Sequence, residues 1–250
     1  MSSLHSVVVG GSACPPALME RFEARYGVPV LHAWGMTETS PLGSFARPPA
    51  ESAGEERWAY RLSQGRLPAT VQGRLIGPDG APVPCDGTSV GELEVRGPWV
   101  TGSYYNDEDP EKFHDGWLRT GDVGTLAPDG FLRLTDRAKD VIKSGGERIS
   151  SVELENAVMA HPAVAEAAVV AVPDPKWDER PLAAVVLKEG ATAGAAELRA
   201  FLADRVARWQ LPDFWSFVEE VPKTSVGKFD KKSLRGSHAS GDLKVVDTRS

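Results

Sequence analysis

The sequence predicts an α/β segment followed by a small α+β domain, and three observations carry that expectation. A β-loop-α-β pattern opens the chain, short strands divided by turn residues fill Val71 to Leu134, and helices alternate with apolar strands after Asp140. In the first pattern, His5 to Val9 reads as a short buried strand entering the Gly10-Gly11-Ser12 loop. Pro15 to Tyr26 reads as a helix whose first turn tolerates proline, because amides there have no intrahelical acceptor, and Gly27 ends it. Val28 to Leu31 is the second strand. A lone unit of this kind cannot bury both faces of its strands, so the chain is expected to begin partway through a domain.

Arg47 to Glu56 is rich in Pro, Ala and Glu without periodicity and is expected to be a surface loop. Val71 to Ile76, Glu92 to Arg96 and Phe131 to Leu134 then alternate as strands, punctuated by Gly77-Pro78-Asp79-Gly80 and Pro128-Asp129-Gly130, which predicts a small antiparallel sheet or barrel. The charged run Thr135 to Asp140 is the expected boundary, since it is too polar for a strand core. Beyond it, Ser150 and Glu153 have capping-box spacing, with Leu154, Ala157, Val158 and His161 on one helix face before Pro162. Ala165 to Val172 and Leu182 to Leu187 are apolar strands. Leu198, Phe201, Leu202, Arg205 and Trp209 mark one side of a second helix. The expected organisation is residues 1–136, a hinge at 137–140, a lid-like domain at 141–236 and a loosely held tail at 237–250.

The 250 residues are 41% hydrophobic and 25% charged, within the range of ordinary globular proteins. A net charge of -7 without a basic run argues against a nucleic-acid partner. Cys14 and Cys85 are too far apart in sequence for a redox or metal motif, which fits a reducing compartment and a cytoplasmic location. The histidines are scattered, and no apolar run approaches the length of a transmembrane helix.

Several segments could carry chemistry, and each has a plainer alternative. Trp34-Gly35-Met36-Thr37-Glu38-Thr39 follows a strand, where open α/β sheets place ligands. The indole could stack on a base, the Thr37 hydroxyl could bond a phosphate and Glu38 could hold Mg²⁺; otherwise the segment is a turn capping a strand. Asp122 could accept two ribose hydroxyls or be an ordinary turn aspartate. Arg137, Lys139 and Lys143 could meet phosphates or stay solvated. Gly145-Gly146 allows close approach of a ligand or makes a tight turn. Lys228, in a hydroxyl-rich loop, could stabilise charge growing on a phosphate or be soluble surface. No Gly-rich loop with a following Ser/Thr and Lys, of the kind that cradles a triphosphate, is present.

Taken in order, these segments resemble the C-terminal half of an adenylate-forming enzyme, the AMP-binding superfamily of acyl-CoA synthetases, firefly luciferase and peptide-synthetase adenylation domains. The resemblance runs from about Val7 to Leu234. Lys143-Ser144-Gly145-Gly146-Glu147, Ile149 to Asn156, Pro175 to Pro181 and Trp209-Gln210-Leu211-Pro212 are most similar to medium- and long-chain fatty-acid CoA ligases. The fold it implies is the end of the large N-terminal domain, a β-α-β unit plus a small antiparallel barrel, followed by the α+β C-terminal domain.

By position, the resemblance implies that Gly11, Ser12 and Ala13 lie beside the adenine and Trp34 packs on it. Gly35, Met36 and Thr37 continue the nucleotide site, Glu38 associates with Mg²⁺, and Asp122 and Arg137 bind the ribose. Lys139 takes the hinge position about which the small domain rotates. Lys228 takes the position of the catalytic lysine of adenylation. Lys143, Gly145, Gly146 and Arg148 belong to the face that meets the nucleotide and CoA in the second half-reaction. Arg148 departs from the Trp usual in the fatty-acyl branch.

The implied reaction is ATP-dependent activation of a fatty acid or other carboxylic acid and transfer to CoA, with ATP/AMP, Mg²⁺ and CoA as ligands. The family's TSGTTGxPK phosphate loop and the earlier sheets would precede Met1, so the chain is expected to be impaired in adenylation. A non-catalytic module working with a separate N-terminal partner is the alternative reading, and a homodimer is a further expectation. No carrier-protein segment follows Lys228, which weakens a peptide-synthetase reading.

Overall fold

Strand β1 (Val7–Val9) pairs in parallel with β2 (Val30–Gly35), and α1 (Pro16–Tyr26) makes the crossover between them. The structure is a computed structural model that describes residues 3–11, 14–224 and 227–249. The chain divides into two compact units, Met1–Ala138 and Lys139–Ser250. No helix among the described residues is long and apolar enough to cross a membrane.

In the first unit a 3-10 turn at Thr37–Thr39 leads to β3 (Leu42–Phe45), α2 (Gly54–Leu62) and β4 (Gly65–Arg66). The antiparallel strands β5 (Gln72–Ile76), β6 (Pro82–Val83), β7 (Gly91–Arg96), β8 (Phe113–His114), β9 (Trp117–Leu126) and β10 (Phe131–Arg137) follow. The strand order is β1-β2-β3-β4-β10-β9-β7-β5-β6, with β8 on β9. Alternate residues of the strands bury Leu75, Leu93, Leu118 and Leu132 together with Trp34. On α1, Met19 packs against Cys14 and Val30.

Four sequence expectations are corrected in this unit. Strand β2 continues to Gly35 instead of ending at Leu31, because His32 is buried, its Nε2 accepting from the Cys14 amide at 2.8 Å. The segment around Arg47 to Glu56 is not wholly loop: α2 starts at Gly54, and Trp58 and Leu62 on it pack beside Met19. Its Arg61 is buried against Glu23 at 2.6 Å, a polar anchor that apolar periodicity does not register. Asp122 lies inside β9 and is not a turn aspartate, and β10 runs on into the charged segment as far as Arg137, with Asp136 buried.

The second unit contains β11 (Ile142–Ser144), β12 (Glu147–Ile149), α3 (Ser151–Met159), β13 (Val164–Asp174), β14 (Asp178–Leu187), α4 (Ala195–Leu202), β15 (Phe214–Phe217), α5 (Lys231–Ala239) and β16 (Val246–Asp247). Its order is β12-β11-β14-β15-β16, with β13 along β14. The β13–β14 hairpin alternates between two apolar layers, since successive strand residues face opposite sides. Ala167, Val169, Ala183 and Val185 meet Leu154, Val158 and Leu198 of α3 and α4, while Ala168, Val170, Leu182 and Ala184 meet Leu234 of α5. Ser150 caps α3 by accepting the Glu153 amide at 3.1 Å.

Two expectations are corrected here. Helix α4 ends at Leu202, so Arg205 lies past it and Trp209 sits in a separate 3-10 turn, Arg208–Gln210. The segment 237–250 is not a loose tail: α5 extends to Ala239, β16 pairs with β15, and Arg249 reaches Asp174 at 2.6 Å.

Candidate active site

The end of β2 sets the geometry of the first unit's site. Gly35 is required there, because a Cβ would come within 1.8 Å of the Pro41 carbonyl oxygen. Trp34, just before it, lies over Gly43, where a Cβ would come within 2.2 Å of the indole ring. The two glycines let β3 fold back against the strand end and hold the ring in one plane. With 7% of its surface exposed, Trp34 presents little open ring. Its Nε1 donates to Asp122 Oδ2 at 2.7 Å.

Asp122 is buried as well, and Arg137 Nε stands 3.2 Å from its Oδ1. The carboxylate's backbone is fixed by the Thr120 hydroxyl, 3.1 Å from the Asp122 amide, and Thr120 in turn donates to the Leu93 carbonyl. Gly121, at φ +74, lets β9 bend beside it, and its carbonyl accepts the Ala138 amide at 2.8 Å. Strands far apart in sequence therefore bring Trp34, Asp122 and Arg137 together.

The turn after β2 is closed by Thr39, which is fully buried; its Oγ1 accepts from the Met36 amide at 2.9 Å and lies 2.8 Å from the Pro41 carbonyl oxygen. Met36 packs partly on the core. Thr37 is exposed. Glu38 Oε1 accepts from the Tyr104 hydroxyl at 2.5 Å and from Lys112 Nζ at 3.2 Å. Burial pushes the Glu38 carboxyl up, but the Tyr104 and Lys112 contacts outweigh it and hold the acid below the usual glutamate range. Burial would lower Lys112, yet the hydrogen bonds to Tyr104 and Glu38 raise it. Tyr104 is raised by burial and by Glu38. Sequence reasoning missed Tyr104 and Lys112. They lie 66 and 74 positions from Glu38, and no local pattern announces them.

No group of three or more His, Cys, Asp or Glu side chains that could hold a metal occurs among the described residues. The described residues therefore form no self-contained metal centre. Mg²⁺ commonly takes one or two carboxylates and completes its shell with substrate phosphates and water, and Glu38 fits that narrower role.

Gly11 is exposed with φ +84, and Ser12 and Ala13 lie outside the described residues. In the second unit Lys139 is exposed. Gly145 and Gly146, at φ +61 and +89, form the two-residue turn between β11 and β12, as a type I′ hairpin requires. Trp177 covers Gly145, where a Cβ would come within 2.7 Å of the ring. Lys143 and Arg148 are cross-strand partners, both exposed. Behind them Arg180 donates to Ser144 Oγ at 2.8 Å and pairs with buried Asp213 at 2.6 Å. Lys228 follows Gly227 in a loop closed by the Lys223–Phe229 bridge; its carbonyl accepts the Thr224 amide at 2.7 Å. Ser225 and Val226 lie outside the described residues.

Two family models match the sequence: AMP-binding enzyme over residues 1–105 and AMP-binding enzyme C-terminal domain over residues 153–228. A 3-methylmercaptopropionyl-CoA ligase of Ruegeria lacuscaerulensis is 49% identical over 238 residues, covering 94% of this chain and 44% of the relative. A medium-chain-fatty-acid–CoA ligase of Ectopseudomonas oleovorans is 46% identical over 244 residues, covering 96% and 44%. The chain thus spans less than half the length of these curated relatives. Among solved structures, o-succinylbenzoate CoA synthetase from Bacillus subtilis, in complex with an acyl-adenylate intermediate, superposes with a TM-score of 0.80 at 32% identity, covering 94% of this chain and 46% of that one.

Proposed function

Since this chain belongs to the AMP-binding, adenylate-forming enzyme family, whose two models account for most of its length, we propose that it serves ATP-dependent acyl-CoA ligation, with a medium- or long-chain fatty acid as the acyl donor. The observation that carries this reading is the buried Asp122 carboxylate, held between the Trp34 indole and the Arg137 guanidinium. A carboxylate fixed in this way is suited to accept hydrogen bonds from the two hydroxyls of a ribose.

In the proposed reaction a carboxylate oxygen attacks the α-phosphorus of ATP and the bond to pyrophosphate breaks; the CoA thiolate then attacks the acyl carbon and AMP leaves. Asp122 and Arg137 hold the ribose, with Trp34 in the same site. The loop from Gly11 through Ser12 and Ala13, and the turn at Gly35, Met36 and Thr37, border the nucleotide. Lys228 supplies positive charge to the α-phosphate during adenylation. Lys143, Arg148 and the Gly145-Gly146 turn serve the CoA step, and Lys139 is the hinge between the steps. Glu38 would contribute one carboxylate to Mg²⁺, which when bound neutralises phosphate charge. The free cysteines Cys14 and Cys85 suit a reducing compartment, and the reading places the chain in the cytoplasm.

A second reading, a binding module that works with another chain, is favoured by β1, which among the described residues is paired on one side only and carries Val8 at 52% exposure. ATP–pyrophosphate exchange by the purified chain, across fatty acids of increasing length and with Mg²⁺, separates the two. Exchange that depends on the fatty acid and on Lys228 supports the ligase reading. Absence of exchange in a folded chain contradicts catalysis by the chain itself and favours the module.

A further inference from the structure

We infer that Arg249 is a positioning residue for the CoA step, holding the Gly145-Gly146 turn in place through Asp174; this rests on the ligase reading above. Strand β16 lies along β15, and just past it the Asp213 carbonyl accepts from the Thr248 amide at 2.9 Å and from the Thr248 hydroxyl at 3.0 Å. That anchoring carries the Arg249 guanidinium over the Phe214 ring, 4.5 Å from its centroid, and onto Asp174, where Nη1 donates to Oδ2 at 2.6 Å. Asp174 ends β13 at the tip of the β13–β14 hairpin, and its side chain is 2% exposed. Its other oxygen accepts the amides of Lys176 and Trp177, each at 2.9 Å. A carboxylate withdrawn from water needs its charge answered, and the guanidinium on one oxygen fixes the direction in which the other meets the two amides. Trp177 then touches the second hairpin twice: its carbonyl accepts the Gly145 amide at 2.8 Å, and its ring covers Gly145. From the same tip, Glu179 Oε2 accepts the Lys143 amide at 2.7 Å. A turn of two glycines has no side chains of its own to hold it, so its place is set by the hairpin tip that Arg249 fixes.

Two variants break the same contact from its two ends. Arg249→Gln removes the charge and keeps a long polar side chain, while Asp174→Asn removes the opposite charge and keeps an oxygen for the two amides. Calorimetric titration of CoA into the purified chain and the variants, together with hydrogen exchange at the Gly145 amide, reads both ends of the relay. Each variant is expected to bind CoA about fivefold more weakly and to exchange Gly145 faster by a similar factor, the scale of a partly screened ion pair. The double variant is expected to be no weaker than either single one, because both remove one interaction. The Val169 amide, held by Glu155 in the core of the same unit, is expected to keep its rate, which a general loss of stability would raise. Unchanged CoA affinity in Arg249→Gln overturns the inference and leaves the ligase reading in place. Additive losses, or Val169 exchange rising in step with Gly145, overturn it as well, since Arg249 would then only stabilise the unit. No CoA binding by the wild-type chain overturns both the CoA step and the inference.

Should Asp174→Asn not fold, Arg249→Lys takes its place. It keeps a cation beside Asp174 and is expected to bind CoA more tightly than Arg249→Gln does. Equal weakening in the two contradicts the role.

Discussion

The two units handle charge in opposite ways. In the first, the two carboxylates of the proposed site are held by partners: buried Asp122 lies between Trp34 and Arg137, and half-buried Glu38 contacts Tyr104 and Lys112. In the second, the buried pair, Arg180 with Asp213, is scaffold, while Lys139, Lys143 and Arg148 are exposed and Lys228 is half-buried. A site built from desolvated carboxylates is set before any ligand arrives, and changes in it disturb the fold and binding together. A site built from cations at or near the surface leaves stability and chemistry separable, since exposed charges contribute little to folding.

The scaffold pair should show the largest effect. Asp213→Ala leaves the buried Arg180 without its carboxylate and removes the partner of Arg199. The second unit is expected to lose about 3–5 kcal/mol, read as a lowered denaturant midpoint. A change below about 1 kcal/mol, of the size usual for exposed pairs, would erase the contrast between scaffold and surface.

Lys228→Ala should behave in the opposite manner. Adenylation is expected to fall by about 10²–10³, the usual loss for one charge-stabilising donor, with the melting temperature unchanged. An equal loss of thioester formation from supplied acyl-adenylate would contradict an assignment to the first half-reaction.

A smaller effect separates the paired carboxylates from ordinary surface acids. The Glu38 acid is depressed in the folded chain, so its contribution is present above the unfolded value, about 4.3, and is lost as pH falls through the folded value. Lys112 and Tyr104 are raised, so their contributions are present below about pH 10 and lost as pH rises through the folded values. Glu38→Gln is therefore expected to flatten both limbs of a melting-temperature profile against pH. An unaltered profile would mean that the three groups are not coupled.

The sequence makes the apolar half of this picture legible and hides much of the polar half. Strand patterning locates β5 and β7, and capping spacing locates the start of α3. His32 and Arg61 mislead, because each is a polar residue buried by a partner distant in sequence, and Asp136 misleads because it is buried inside a charged run; a reading based on apolar periodicity ends an element where such a residue appears. Asp122 looks like a turn aspartate for the same reason. Trp34 is visible as an aromatic in the right segment, but the direction of its N–H depends on β9 and on Gly43 beneath the ring. Tyr104 and Lys112 have no local signal at all. They reach Glu38 only once the loop after β7 folds back over the turn, where the Thr101 amide donates to the Glu38 carbonyl at 2.8 Å.

The most direct test of the account is calorimetric titration of AMP into the purified chain and into Asp122→Ala, at a temperature where circular dichroism shows both folded. The account predicts saturable AMP binding by the wild-type chain and at least about a tenfold loss in the variant, the scale of a hydrogen bond to a charged group. Equal affinity in the two would remove Asp122 from the nucleotide site and contradict the reading built on it.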